Sequence, residues 1–460
     1  MTSFDNVCRM ACILYKSVIL FMGKEERRME IETLKRSHLK RNIIIGVVGV
    51  LIISAIILNF TRARYRSVAT TPLIHSTINY SAADLNIVAI TVDGEEVDTI
   101  PTGNYELSED SYCEVNGVRD DSVELSYDMD SQMLTVTPLT TKGTKCYLDY
   151  VKGSTAGEQI LANYTNQLTR TDFSTTVTNR TTGTIYYADT SKGRTYYFAG
   201  NPTDNWVYFG GFYWRIIRIN EDGSIRMIYA GESSTTVLDD RIQNSAFNSS
   251  YYDNMYVGYM YQGNQVHGLT TDSTIKVVLD NWYEDNLLEN YADQISTEAG
   301  FCGDREPSTS HSSSDGNGGI GTQLAYYGAY IRLVHGKNPT FECKNTTDLY
   351  TVGSASGGNK ALDYPIGLIA ADEVAYAGGV YGSANRSYYL YYSGEYYWTM
   401  SPHYFFPEKV EATMFRVSGA DGSLDADVVN AAYAVRPVIN LSADVTITGS
   451  GTTSDPYVVS

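Results

Sequence analysis

An Asp and a Glu stand side by side in the run YPIGLIAADEVAYAGG, Tyr364 to Gly379. Two facing carboxyl groups can divide acid and base work between them. Adjacent positions on a helix do not share a face, so Asp372 and Glu373 cannot oppose each other across a substrate. Pro365 opens the run and Gly378–Gly379 closes it, which predicts a short helix with both acids in its first turn. There the helix dipole favours negative charge. Val374, Ala375 and Ala377 pack, and Gly378 ends the helix. The pair reads as a cap, not as a catalytic dyad.

Other patterns able to do chemistry are few. His75, His267, His311, His335 and His403 follow the N-terminal apolar run, and none sits in HExxH spacing. No GxSxG strand-to-helix elbow occurs. His403, in MSPHYFF among aromatic neighbours, is the best single candidate, and a lone loop His reads more simply as a polar surface group. DGNGG, Asp315 to Gly319, resembles a cation loop but lacks the Glu that would complete a calcium hand. No catalytic residue and no metal site is assigned. No cofactor is expected, with calcium left open.

The richest stretch is RSYYLYYSGEYYWTMSPHYFF, Arg386 to Phe406, with seven Tyr, one Trp and two Phe. The chain holds 39 Tyr against 13 Phe. A core gains nothing from so many phenol hydroxyls, so many rings should lie at surfaces with their OH groups wet. Strand alternation sends every second side chain outward. Tyr392, Tyr396, Tyr397, Trp398, His403 and Tyr404 are therefore expected to form a ligand-binding face for glycan or protein. A core strand with Tyr at the sheet edge is the plainer alternative.

The elements that would carry these residues follow from the rest of the chain. Twenty uncharged residues lie between Arg41 and Arg62. As a helix they span roughly 30 Å, enough for a bilayer core. Residues 1–66 hold 12 Lys+Arg against 5 Asp+Glu, leaving 22 against 48 for the remainder. The basic flank places the N-terminus in the cytoplasm and the bulk of the chain outside the cell membrane. A cleaved signal peptide is the alternative, for which the apolar run is long. The acidic body argues against nucleic acid as a partner.

Cys8 and Cys12 precede the apolar run, and Cys113, Cys146, Cys302 and Cys343 follow it. Four cysteines allow three pairings. The two-and-two split between domains favours Cys113–Cys146 and Cys302–Cys343, with free thiols as the alternative.

Residues 1–42 are read as a cytoplasmic segment, 43–60 as a single transmembrane helix and 61–76 as a stalk. Short alternating runs over 77–152 predict a small Ig-like β-sandwich serving as a spacer. Residues 153–183 read as a helix around AGEQILANYTNQL and a Thr-rich linker. Residues 184–460 open with strands around the turn EDGS, a hairpin signal. They continue through a helix near STIKVVLDNWYEDNL capped by Ser273 or Asp272, and close on strands. The expected class is α+β with mostly antiparallel strands.

The motifs FYWRIIRINEDGSIRMIYAG, FCGDRE, YYWTMSPHYF and VRPVINL resemble those of uncharacterised membrane-anchored surface proteins of gut-type bacteria. More distantly, residues 184–460 resemble the C-type lectin-like fold shared with formylglycine-generating enzymes. That resemblance matches Pro365–Gly379, Trp398–Ser401 and Val435–Pro437. It implies a C-type-lectin-like domain in which the acidic helix packs near the core. The generating enzymes use a late cysteine pair for copper and oxygen, and no cysteine follows Cys343. The function expected is therefore binding at the cell surface. An extracytoplasmic enzyme of the generating type is the alternative, and an envelope scaffold is a third reading.

Overall fold

The computed structural model describes residues 85–459 apart from 102–103, 129–132, 139–142, 235–239 and 309–317. The segments expected to be cytoplasmic, transmembrane and stalk, with Cys8, Cys12, His75, His311 and most of DGNGG, lie outside the described residues. Strand makes up 36% of the described residues and helix 14%, so the protein is mainly β and the expected α+β class is corrected. Among the described residues no helix is long and apolar enough to cross a membrane.

The first sheet is built on β8 (Thr144–Lys152), which pairs in parallel with β1 (Leu85–Val92). β1 pairs antiparallel with β2 (Glu95–Val97) through the turn Asp93–Gly94. Both turn residues have positive φ, 51° and 86°, the conformation that matches hairpin twist. β8 also holds β3 (Tyr105–Leu107) and β4 (Tyr112–Val115), and β5 (Val118–Arg119) pairs with β4. A separate hairpin, β6 (Glu124–Asp128) and β7 (Met133–Thr137), supplies Leu134 and Val136 to a core with Ile90, Leu148 and Tyr150. Cys113 and Cys146 are directly opposed on β4 and β8, and they are bonded. An immunoglobulin bridge ties two sheets together. This one ties neighbours within a single mixed sheet, so the Ig-like expectation is corrected.

Helix α1 (Ala156–Leu161) starts at Thr155, whose side chain accepts from Glu158 N while Glu158 returns the bond to Thr155 N. The pattern predicted a longer helix. Instead Tyr164 buries its ring, donates its OH to Asp204 O at 3.0 Å and turns the chain into β9 (Asn166–Leu168). The Thr-rich segment beyond is pinned. Arg170 donates to Tyr376 O at 2.7 Å, and Phe173 meets the Tyr376 ring edge-on at 5.0 Å.

The large sheet runs through β9, β10 (Thr184–Thr190), β11 (Gly193–Tyr197), β13 (Phe212–Ile219) and β12 (Trp206–Phe209) to Tyr457–Val459. β14 (Ile225–Tyr229) pairs with β13 and with Val438–Leu441 of VRPVINL. The β13–β14 turn closes at Gly223, φ +84°. A second sheet centres on Tyr397–Phe406, flanked by Glu411–Val417, Ala325–Tyr326 and Tyr433–Val435. Helix α2 (Thr274–Asn286) is capped by Ser273 and buries Ile275, Leu279 and Tyr283. Helix α3 (Ala371–Ala377) is buried along its whole length and ends at Gly378, φ +115°. One large core joins both sheets to α2 and α3.

Candidate functional site

The expected Tyr-rich face does not form. Tyr392, Tyr397, Trp398 and His403 are only 1%, 0%, 0% and 3% exposed. Tyr392 precedes the strand Tyr397–Phe406, which is paired on both sides and buried along most of its length, so alternation leaves no open face for Tyr397, Trp398 and His403. The polar tips find backbone partners instead of water: Tyr397 OH donates to Leu390 O at 2.8 Å, and Trp398 Nε1 to Ser245 O at 3.0 Å. Tyr396 and Tyr404 are half-buried. Tyr396 lies under the Arg416 guanidinium at 4.3 Å, whereas Tyr404 joins Tyr326 and Tyr330. Burial pushes the His403 pKa down to about 3, and Nδ1 lies 3.3 Å from Thr413 Oγ1.

The acids of the opening motif lie elsewhere, at the floor of a cavity of about 550 Å³. β13 and β14, the start of α3, and the segments around Cys302 and Cys343 wall it. The bond between Cys302 and Cys343 fastens those two segments together. Arg218 on β13 and Arg226 on β14 are opposed in register. Glu373 Oε1 lies 2.6 Å from Arg226 Nε and 3.2 Å from Arg218 Nε. Its other oxygen accepts from Ala370 N at 2.9 Å, so the same side chain caps α3. Burial alone would raise the Glu373 carboxyl, but Arg226 and Arg218 outweigh it and hold it below the usual range.

Asp372 turns to a different partner. Its two oxygens take Arg332 Nε at 2.8 Å and Nη2 at 2.7 Å, and Oδ1 also accepts from Thr340 N. Arg332 reaches Asp304 at 2.6 Å with the same Nη2. Burial raises the Asp304 carboxyl against the pull of Arg332. Three guanidinium groups and three carboxylates thus pair at the floor in two clusters, Arg218 and Arg226 on Glu373 and Arg332 on Asp304 and Asp372.

FCGDRE supplies neighbouring parts of one frame. Cys302 and Asp304 line the cavity. Arg305 is buried on Asp348 and donates to Met260 O and Gly268 O. Glu306 lies 3.0 Å from His267 Nε2, and His267 Nδ1 is 3.1 Å from Asp348. The hydrogen bond to Asp348 raises the His267 pKa against burial. A carboxylate thus faces each ring nitrogen of His267.

Among the described residues, one acid group has metal-like geometry: Asp272, Asp280 and Asp363. Lys276 Nζ already sits among them, at 3.3, 2.6 and 3.5 Å.

Arg218, Arg226 and Arg332 were not singled out from the sequence. A signal was present in FYWRIIRI and IRMIY, where Arg interrupts otherwise apolar strands. A cation in such a run has to be paired by a carboxylate from another element. No family model matches this chain, and neither a curated protein nor a solved structure does.

Proposed function

We propose that this chain is a binding module that takes a small polar ligand, or one polar side chain of a larger partner, in the cavity at the start of α3. The observation that carries this reading is the cavity itself. It is of ligand size, and its charged floor is held in place by mutual pairing. The bond between Cys302 and Cys343 favours binding over the oxidase alternative, because the thiols a copper site would need are used in the bridge. Two disulfides also fit work outside the cytoplasm. The apolar run at 43–60 would be the membrane anchor, with the N-terminus cytoplasmic.

Thermal unfolding of the full chain with agmatine, succinate or lactose tests the proposal. At least one of these should raise the melting temperature, and the rise should vanish in Ala355→Trp, which fills the cavity mouth from an exposed position. A rise that survives Ala355→Trp, or no rise with any of the three, contradicts it.

A further inference from the structure

The rim of the cavity differs from its floor. The floor is balanced, with three guanidinium groups against Asp304, Asp372 and Glu373. Around the rim stand Glu221, Asp222, Glu298 and Glu342 with Lys192, and Glu221 reaches Arg218 on the floor at 3.7 Å. These acids are held in place. Glu298 accepts from Ser354 N and Ser356 N at 2.9 and 2.8 Å. Glu342 accepts from Ser191 N at 2.5 Å, and Glu221 from Thr190 Oγ1 at 2.8 Å. Their local partners are mostly neutral N–H and O–H groups, so the negative charge at the mouth remains. Lys192 is turned to Ser356 O at 3.1 Å.

A second observation is independent of charge. Asn220 lines the cavity, is only 7% exposed, and has no hydrogen-bond partner at Oδ1. Its orientation is fixed by a chain of amides. Asn440 Nδ2 donates to Ala299 O at 3.2 Å, and Asn440 Oδ1 therefore accepts from Asn220 Nδ2 at 3.1 Å. Asn220 Oδ1 is left as an acceptor that calls for a donor. Ser356 Oγ, also in the lining, has no partner either.

We infer that the cavity selects an organic cation, a primary ammonium or a guanidinium carried on an alkyl chain. Its N–H groups would answer Asn220 Oδ1, and its charge would answer the rim acids. The floor arginines are already paired, Arg332 with Asp304 and Asp372, Arg226 with Glu373, and Arg218 with Glu373 and Glu221, so an anion would compete with these carboxylates for them. The shared chemistry fits a free diamine or the Lys or Arg side chain of a peptide. This inference rests on the cavity being the binding site.

Isothermal titration of the full chain with agmatine, putrescine, a Lys-containing hexapeptide, succinate and lactose tests it. The amines should bind and the other two should not, with affinity falling as salt rises. Glu342→Gln, on the exposed rim, should weaken amine binding about five-fold, the scale of one exposed charge. Asn220→Leu should weaken it further, and Glu342→Gln keeps the test informative if that variant does not fold. Agmatine binding tighter than the hexapeptide assigns the free amine, and the reverse assigns the side chain; either supports the inference. Succinate or lactose binding that Ala355→Trp abolishes would overturn cation selection and leave the cavity as the site. Silence from all five probes would overturn both.

Discussion

Arg218 and Arg226 stand directly opposite each other on β13 and β14, and one carboxylate, Glu373, serves both. Like charges in a cross-strand pair are destabilising when nothing intervenes. Here the helix that packs under the hairpin delivers the counter-charge. Glu373→Gln should therefore cost about 3–5 kcal/mol in denaturant unfolding, the range for breaking a buried ion pair on one side.

The same residue sets an acid limit. The folded Glu373 carboxyl sits below its usual value of 4.5. Its contribution is complete above that value and is lost as pH falls through the lower folded one. Urea midpoints measured down the acid range should fall for the wild type and fall less steeply for Glu373→Gln.

Two histidines pull the pH profile in opposite directions. Burial pushes His403 down to about 3. The unfolded chain therefore takes up its proton first, and stability is lost as pH falls below about 6.5. Hydrogen bonding to Asp348 raises His267. Its contribution is complete below about 6.5 and is lost as pH rises through the folded value. Between about pH 5 and 8, His403→Leu should leave a profile that declines with pH, and His267→Gln one that climbs. Unfolding series at four pH values would show it; parallel profiles for the two variants would refute the assignment.

The two bridges should separate stability from binding. They span 33 and 41 residues, and each contributes about 4 kcal/mol on the chain-entropy account. Paired Cys→Ala substitutions at 113 and 146 should lower stability and leave agmatine affinity unchanged. The same change at 302 and 343 should lower both, because that bridge walls the cavity.

Much of the local architecture was legible because it depends on neighbours in the chain. EDGS gave the β13–β14 turn, Ser273 the α2 cap, and Gly378 the α3 stop. The site was not legible, since its parts meet only through tertiary packing. Arg332 and Asp372 lie 40 positions apart, and Arg218 and Glu373 lie 155 apart. The Tyr-rich run misled for a related reason. Alternation predicts an outward face only for a strand with one face open, and Tyr397–Phe406 is covered on both by elements distant in sequence. The acid pair was read as a cap, which Glu373 fulfils at Ala370 N. Its second role depended on arginines whose strands, FYWRIIRI and IRMIY, call for a carboxylate without saying which one.

Hydrogen–deuterium exchange on the full chain, with and without saturating agmatine, tests the central claim most directly. Slowed exchange confined to 298–304, 340–346 and the first turn of α3 is the predicted result. Protection over 396–406 instead, or no protection in any of these segments, would contradict the cavity as the place where this protein binds.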